Sequence, residues 1–289
     1  MIRFICAICG LLFLVANCSA RDSVSVLDFG SSEAGKTAAE KLRAQFRAAG
    51  DFLVADADLT RSAALGSGYA GSLNLTVNEA RDLGAVLATD FYLLGDAQVL
   101  RRSSFEKPVY YEAYCSVFVV SSRTGRLLEW ERPSFNSDQA SKANDLLLEH
   151  LIGLSQKLLV VMRRASEDER IQRTVVPTSP VPLIEEAPAD DQAAAAQGLR
   201  LPRPYRRLRP EYPKTAALAE AEATVDVAVE IGADGEVGDV QVVRWAGFGL
   251  DEATVATVRQ MHFFPALKNG TAIPLRVLLR YNFRKPPKE

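Results

Sequence analysis

The placing of proline constrains this chain more than any other feature of its sequence. Between Ser166 and Arg209 lie Pro177, Pro180, Pro182, Pro188, Pro202 and Pro204, six of the 14 prolines in 289 residues, together with the tract Ala193–Ala196. Proline fixes φ, removes a backbone donor and pushes the preceding residue out of the helical region, so no long helix or central strand runs through such a stretch. Neither helical nor strand periodicity is sustained there. The composition predicts a semi-rigid spacer of polyproline-II character over residues 166–208. The spacer separates a domain at residues 21–165 from a second at residues 209–289, and two domains suit a chain of this length.

Residues 1–20 read as a secretory signal peptide. Arg3 precedes an uncharged run from Phe4 to Ala16, long enough for a leader core and too short to span a bilayer as a helix. Cys18-Ser19-Ala20 then supplies the small residues that a leader peptidase reads, with cleavage after Ala20. Two other readings stay open: Val15-Ala16-Asn17-Cys18 resembles a lipobox, which would place a lipid on Cys18, and an uncleaved anchor would retain the apolar run. Cleavage leaves Cys115 as the lone cysteine, so the core, with no internal disulfide, must hold the mature fold.

The first domain alternates element types. Strands are expected at Val24–Phe29, Phe52–Ala55, Phe91–Val99, Tyr110–Ser121 and Leu127–Glu131, the last two joined by a turn at Arg123-Thr124-Gly125. Helices are expected at Lys36–Ala49, from the capping box Thr76-Val-Asn-Glu79 to about Ala88, and at Asp138–Arg164, where Leu146, Leu147, Leu151, Leu154, Leu158 and Val161 form a core-facing stripe. This is an α/β sandwich on a mixed sheet.

Two motifs in this half suggest nucleotide chemistry. Gly30, Gly35, Lys36 and Thr37 make a literal G-x-x-x-x-G-K-[ST] between strand and helix, the setting in which backbone N–H groups and a lysine cradle phosphates. A partner strand ending in a magnesium-binding Asp is hard to find; Asp96 is nearest, after a Gly that breaks its run. The domain then closes with a hairpin and one helix, too little for the usual parallel sheet. Gly66, Gly68 and Gly71 make G-x-G-x-x-G, but a helix-like segment precedes them where a dinucleotide site needs a strand. Both motifs read as turns, which leaves a P-loop nucleotide-dependent enzyme as the weakest of three functions.

No G-x-S-x-G, H-E-x-x-H or paired Asp/Glu constellation appears, so no catalytic or cofactor-binding residue is expected. No Cys/His metal cluster can be assembled, since His150 and His262 are the only histidines and Cys115 is the only cysteine outside the leader. A formal charge of -2 gives no global attraction for nucleic acid.

In the last eighty or so residues, Val225, Val227, Val229 and Ile231 alternate with polar or small residues as a half-buried strand. Ala233-Asp234-Gly235 is a tight turn, Val237–Val243 returns, and Leu250–Gln260 is a helix that Pro265 keeps from continuing. Ile273–Phe283 is the final strand. The order β-β-α-β gives a three-stranded antiparallel sheet with a helix on one face.

Residues 209–284 resemble the TonB C-terminal domain. The likeness is carried by Pro210-x-Tyr212-Pro213, the Asp234-Gly235 hairpin, Leu250-Asp-Glu-Ala253, Phe264-Pro265-Ala266, the Asn269-Gly270 turn and a strand ending at Phe283, with Met261 where many members have Trp. Residues 24–164 look more loosely like the TolB N-terminal and CsgG-like periplasmic α/β domains, through the segments 26–29, 79–99 and 117–130.

The TonB resemblance implies a periplasmic, cell-envelope protein-interaction module without chemistry of its own, which supports outer-membrane transport by pairing a strand edge with a membrane partner. The edge expected to carry this is Ile273, Leu275, Arg276, Val277, Leu278, Leu279, Arg280, Tyr281 and Phe283. The partners implied are outer-membrane or other envelope proteins. The cluster Arg200, Arg203, Arg206, Arg207 and Arg209 suits peptidoglycan or lipid phosphate. An alternative function is an envelope assembly or secretion subunit whose N-terminal domain forms a homo-oligomer.

Overall fold

A computed structural model of the protein describes residues 21–105, 108–174, 184–188 and 190–285. The leader, its cleavage site and Cys18 lie outside the described residues, as do Pro177, Pro180 and Pro182.

The N-terminal half is built from β1 (Ser23–Val26), α1 (Glu33–Ala49), β2 (Leu53–Val54), α2 (Ala57–Gly66), α3 (Val77–Leu87), β3 (Phe91–Arg102), β4 (Tyr110–Ser121), β5 (Leu127–Glu131), β6 (Ser134–Ser137) and α4 (Ala140–Thr174). Its sheet runs β2-β1-β3-β4-β5, with β6 also on β4. β1 is parallel to β2 and β3, while β3, β4, β5 and β6 are antiparallel, so the sheet is mixed as the alternation of elements implies. The Thr76–Glu79 capping box forms at α3: Glu79 N donates to Thr76 Oγ1 (3.1 Å) and Thr76 N to Glu79 Oε2 (2.7 Å).

Both faces of this sheet are covered. Phe91, Leu93 and Ala97 of β3 and Cys115, Val117 and Val119 of β4 pack against Leu42 and Phe46 of α1 and Leu147, Leu151 and Leu158 of α4. The intervening residues, Tyr92, Leu94, Phe118 and Val120, face Ala64 of α2, Ala80, Leu83 and Leu87 of α3, and Trp245 from the other half of the chain. Strands buried on both sides read as continuous apolar runs, which matches 91–94 and 117–120.

α4 extends ten residues past its expected end at Arg164. Residues 165–174 contain no proline, and Ser166, Glu169 and Arg170 tie the extension down: Ser166 Oγ donates to Asp22, Ser121 Oγ to Glu169 Oε1 (2.6 Å), and Arg170 lies 3.4 Å from Asp22. The described remainder of the expected spacer is likewise engaged. β7 (Glu185–Glu186), α5 (Asp191–Ala196), β8 (Leu199–Arg200) and β9 (Arg203–Pro204) lie along the C-terminal half. Two-residue ladders at a sheet edge need few donors, so prolines beside them are tolerated.

The C-terminal half continues with α6 (Lys214–Ala219), β10 (Ala223–Ile231), β11 (Val237–Arg244), α7 (Leu250–Val258), β12 (Phe263–Phe264), β13 (Ala266–Lys268), β14 (Thr271–Ile273) and β15 (Leu275–Phe283). Its main sheet runs β11-β10-β15-β7, the antiparallel β-β-α-β core expected from the alternation plus one short parallel strand. α7 closes one face around Val225, Val227, Val229, Leu250, Val258 and Phe263. The expected final strand is divided at Pro274: Ile273 ends β14, which turns at Asn269-Gly270 (φ 51° and 88°) to pair with β13.

The two halves share a core. Trp245, 2% exposed, stacks on Phe118 at 6.0 Å, and Phe248 meets Phe118 (5.5 Å) and Trp130 (5.6 Å). Asn74 knits the junction: its Nδ2 donates to the carbonyls of Thr224 (2.8 Å) and Trp245 (2.6 Å), and its Oδ1 accepts from Thr224 N (3.0 Å). The backbone at Gly247, at φ +70°, favours glycine, since a Cβ would lie 2.6 Å from the Phe118 ring.

Candidate partner-binding edge

β15 pairs with β10 along its whole length, in a register without bulges from Leu275↔Ile231 to Phe283↔Ala223. On its other side only Leu275 and Arg276 are paired, to Glu185 and Glu186 of β7. Ala187 N donates to Arg276 O (2.8 Å), so the backbone groups of Arg276 point away from β10. Both polar groups of one strand residue point the same way and successive residues alternate. Leu278, Arg280 and Asn282 therefore turn their N–H and C=O to the outer side, while Val277, Leu279 and Tyr281 turn theirs to β10. Pro188, with no N–H, stands where β7 would otherwise continue. Among the described residues, no strand pairs with the outer side of β15 beyond Arg276.

The side chains alternate as well. Leu275 and Phe283 are buried, and Val277, Leu279 and Tyr281 pack against the core under α7. Tyr281 Oη reaches Met261 Sδ (3.5 Å), and burial raises its phenol pKa. The other face presents Arg276, Leu278, Arg280 and Asn282. Arg280 is committed within the sheet: its Nε and Nη2 donate to buried Asp226 (2.7 and 2.9 Å), which also accepts from Arg244 Nε (3.3 Å). Arg276 binds Glu230 and lies 3.4 Å from Glu186. Leu278, 58% exposed, is the apolar side chain this face leaves in water.

The nine sequence-expected edge residues are thus distributed over two strands. Leu275 to Phe283 share β15, whereas Ile273 pairs with Ala266 in the neighbouring hairpin. The five arginines of the second expected contact lie on and beside β8 and β9, all exposed. What sequence reasoning missed is the β7 strand on the edge and the docking of the two halves through Trp245. The one available signal was an isolated Trp in a Gly-rich loop after a strand.

The phosphate-loop motif takes a different form from a nucleotide cradle. α1 begins at Glu33, inside the motif, and Ser32 caps it by accepting from Gly35 N (2.9 Å). The glycine at 35 answers to close packing: a Cβ there would lie 1.9 Å from the Phe29 carbonyl oxygen. Asp96, on the neighbouring strand, accepts from Tyr114 Oη (2.6 Å) and from Gln98. The segment before the second glycine motif is helix α2, as its pattern implies.

His150 packs on Phe135, and His262 Nδ1 lies 3.1 Å from Glu236. Cys115 is free and buried, and burial raises its thiol pKa. Among the described residues, no group of His, Cys, Asp and Glu is placed to hold a metal ion, and no helix is long and apolar enough to cross a membrane.

Residues 209–284 match the family described as the Gram-negative bacterial TonB protein C-terminal. Among solved structures, the chain is similar to the TonB C-terminal domain of Pseudomonas aeruginosa, with 22% identity, 30% of this chain and 90% of that one covered, and a TM-score of 0.27. It is also similar to the lipoprotein GNA1162 of Neisseria meningitidis (14% identity, 48% and 98% covered, TM-score 0.34). A third similar structure is the PelC dodecamer of Paraburkholderia phytofirmans (12% identity, 44% and 83% covered, TM-score 0.28). No curated protein matches the chain. The family match covers the β-β-α-β core and the whole of β15.

Proposed function

We propose that this protein is a cell-envelope interaction module that pairs the outer side of β15 with an extended segment of an outer-membrane or other envelope protein, in support of outer-membrane transport. The observation that carries this reading is the run from Leu278 to Asn282, where alternate backbone groups face outward beside a fully paired neighbour. Such an edge adds a strand: main-chain hydrogen bonds supply affinity, and pockets for alternate side chains supply selectivity. The leader sequence and the TonB-type domain both favour an exported, periplasmic protein.

Photo-cross-linking in the intact envelope tests this. A photoreactive residue at position 278, on the open edge, is expected to form an adduct with an outer-membrane or other envelope protein. The same residue at Gln241, on the opposite edge strand β11, is expected to give none. Equal adducts from both positions, or none from 278, would reject the edge.

A further inference from the structure

We propose that the face carrying Arg203, Tyr205 and Phe264 docks on a membrane surface rich in anionic phospholipid, whose phosphate headgroups carry net negative charge. The face is built by the short β9–β12 ladder, in which Arg203 stands opposite Phe264 and Pro204 opposite Phe263. Residues directly opposed in a ladder share a face. Phe263 is 2% exposed and belongs to the core, so Arg203 and Phe264 point outward together. Tyr205, whose N–H donates to His262 O (2.9 Å), follows on the same side, and its ring lies 4.3 Å from that of Phe264. The two rings stay in water, at 61% and 54% exposure.

The chain on either side of Tyr205 is basic. Arg200, Arg203, Arg206, Arg207 and Arg209 are all exposed, and residues 192–210 contain no Asp or Glu. Arg43, Arg61, Arg102, Arg123, Arg132, Arg163, Arg170, Arg244, Arg276 and Arg280 each hold a carboxylate. None of the five does so among the described residues. The nearby Glu236 is occupied by His262. The stretch 200–209 thus carries five exposed guanidiniums without a carboxylate partner among the described residues, and one of them, Arg203, shares its face with the two exposed rings.

The chemistry favours lipid phosphate. A guanidinium fork matches phosphate oxygens in a bidentate way, and a cluster of such groups beside an anionic leaflet gains from each charge. Tyr205, an aromatic ring with one polar handle, suits the boundary between headgroups and acyl chains, and Phe264 beside it adds apolar surface. Single-stranded nucleic acid would need open ring faces for stacking. Here each ring leans on the other, at 57° between planes. The inference takes its envelope location from the reading above but is independent of β15.

Vesicle flotation of the full chain tests it. Vesicles of phosphatidylcholine mixed with phosphatidylglycerol should retain the protein, and phosphatidylcholine alone should not. Joint replacement Arg203→Gln, Arg206→Gln and Arg207→Gln should lower the bound fraction at least about tenfold. Tyr205→Ser with Phe264→Ser should remove the binding that survives raised salt. All five positions are exposed, so these replacements leave the core untouched. Equal partition into both vesicle types, unchanged binding by the arginine variant, or stronger retention on a single-stranded RNA oligonucleotide would overturn the inference. A failure here would leave the 278 cross-link unaffected, which separates the two claims.

Discussion

Trp245 donates its indole N–H to the carbonyl of Gly125, 3.1 Å away, and so joins the loop after β11 to the hairpin turn between β4 and β5. A buried indole needs such a partner, and the ring fills the face of the N-terminal sheet that α2 and α3 leave open. The C-terminal half is thereby held in a defined orientation on the N-terminal half.

Trp245→Ala should therefore cost about 3–5 kcal/mol of stability at the junction. Asn74→Ala should cost about 1–3 kcal/mol, because it strands the Thr224 N–H and two carbonyls. Calorimetry should show the single unfolding transition of the parent separate into two. A single transition shifted by less than a degree or two in both variants would mean that the halves do not share a core.

The same junction should respond to pH through Asp251. Its carboxylate accepts from Ala246 N (2.9 Å) and Gly247 N (2.8 Å), which positions the loop that carries Trp245. Burial raises its pKa to about 7, against the opposing pull of those two N–H groups. A raised folded pKa means that the folded state binds the extra proton. Its contribution to stability is full below the unfolded value near 3.8 and is lost as pH rises through about 7. Denaturant melts should show stability falling over that window, by an order of a few kcal/mol. Asp251→Asn should flatten the profile; the same slope in the variant would assign it to another group.

Much of this arrangement was legible in the sequence where local chemistry decides. The capping box at Thr76 and Glu79, the turn at Arg123-Thr124-Gly125 and the Asp234-Gly235 hairpin are short-range devices, and each stands where its residues imply. The alternation of β15 was readable because one face is buried. The end of α4 was not, because the charged composition changes near Ser166 while the first proline that bars a helix comes only at Pro177. The placement of β7 on β15 depends on pairing across ninety residues, between Lys268 or Arg276 and two glutamates, and no local period records that. The docking of Trp245 is likewise tertiary.

β7 itself yields a prediction. Glu185 pairs with Lys268 (2.8 Å) and Glu186 with Arg276 (3.4 Å), both at the surface. Charge reversal, Glu185→Lys with Glu186→Lys, should loosen this strand. Hydrogen exchange of the Ala187 amide should then quicken several-fold, as expected for weak exposed pairs. The amides of Val277, Leu279 and Tyr281, which face β10, should be unchanged. Acceleration throughout β15 would show that β7 supports the sheet itself.

The GSSEAGKT turn should bind no nucleotide, since Ser32 already occupies the N–H of Gly35 and the helix starts at Glu33. Mg-ATP should leave the melting temperature of the protein and of Lys36→Ala alike. A stabilisation by Mg-ATP that Lys36→Ala abolishes would reinstate a phosphate site.

The central claim is that the outer side of β15 pairs with a partner strand, and adjacent proline substitutions test it most directly. The N–H of Leu278 faces outward and that of Leu279 faces β10. Proline at an outward position removes a donor that the fold does not use, whereas at an inward position it breaks the ladder. Circular dichroism should show Leu278→Pro folded and Leu279→Pro largely unfolded. Capture of the envelope protein that cross-links to position 278 should be weakened at least tenfold by Leu278→Pro. Full capture by a folded Leu278→Pro protein would contradict the account.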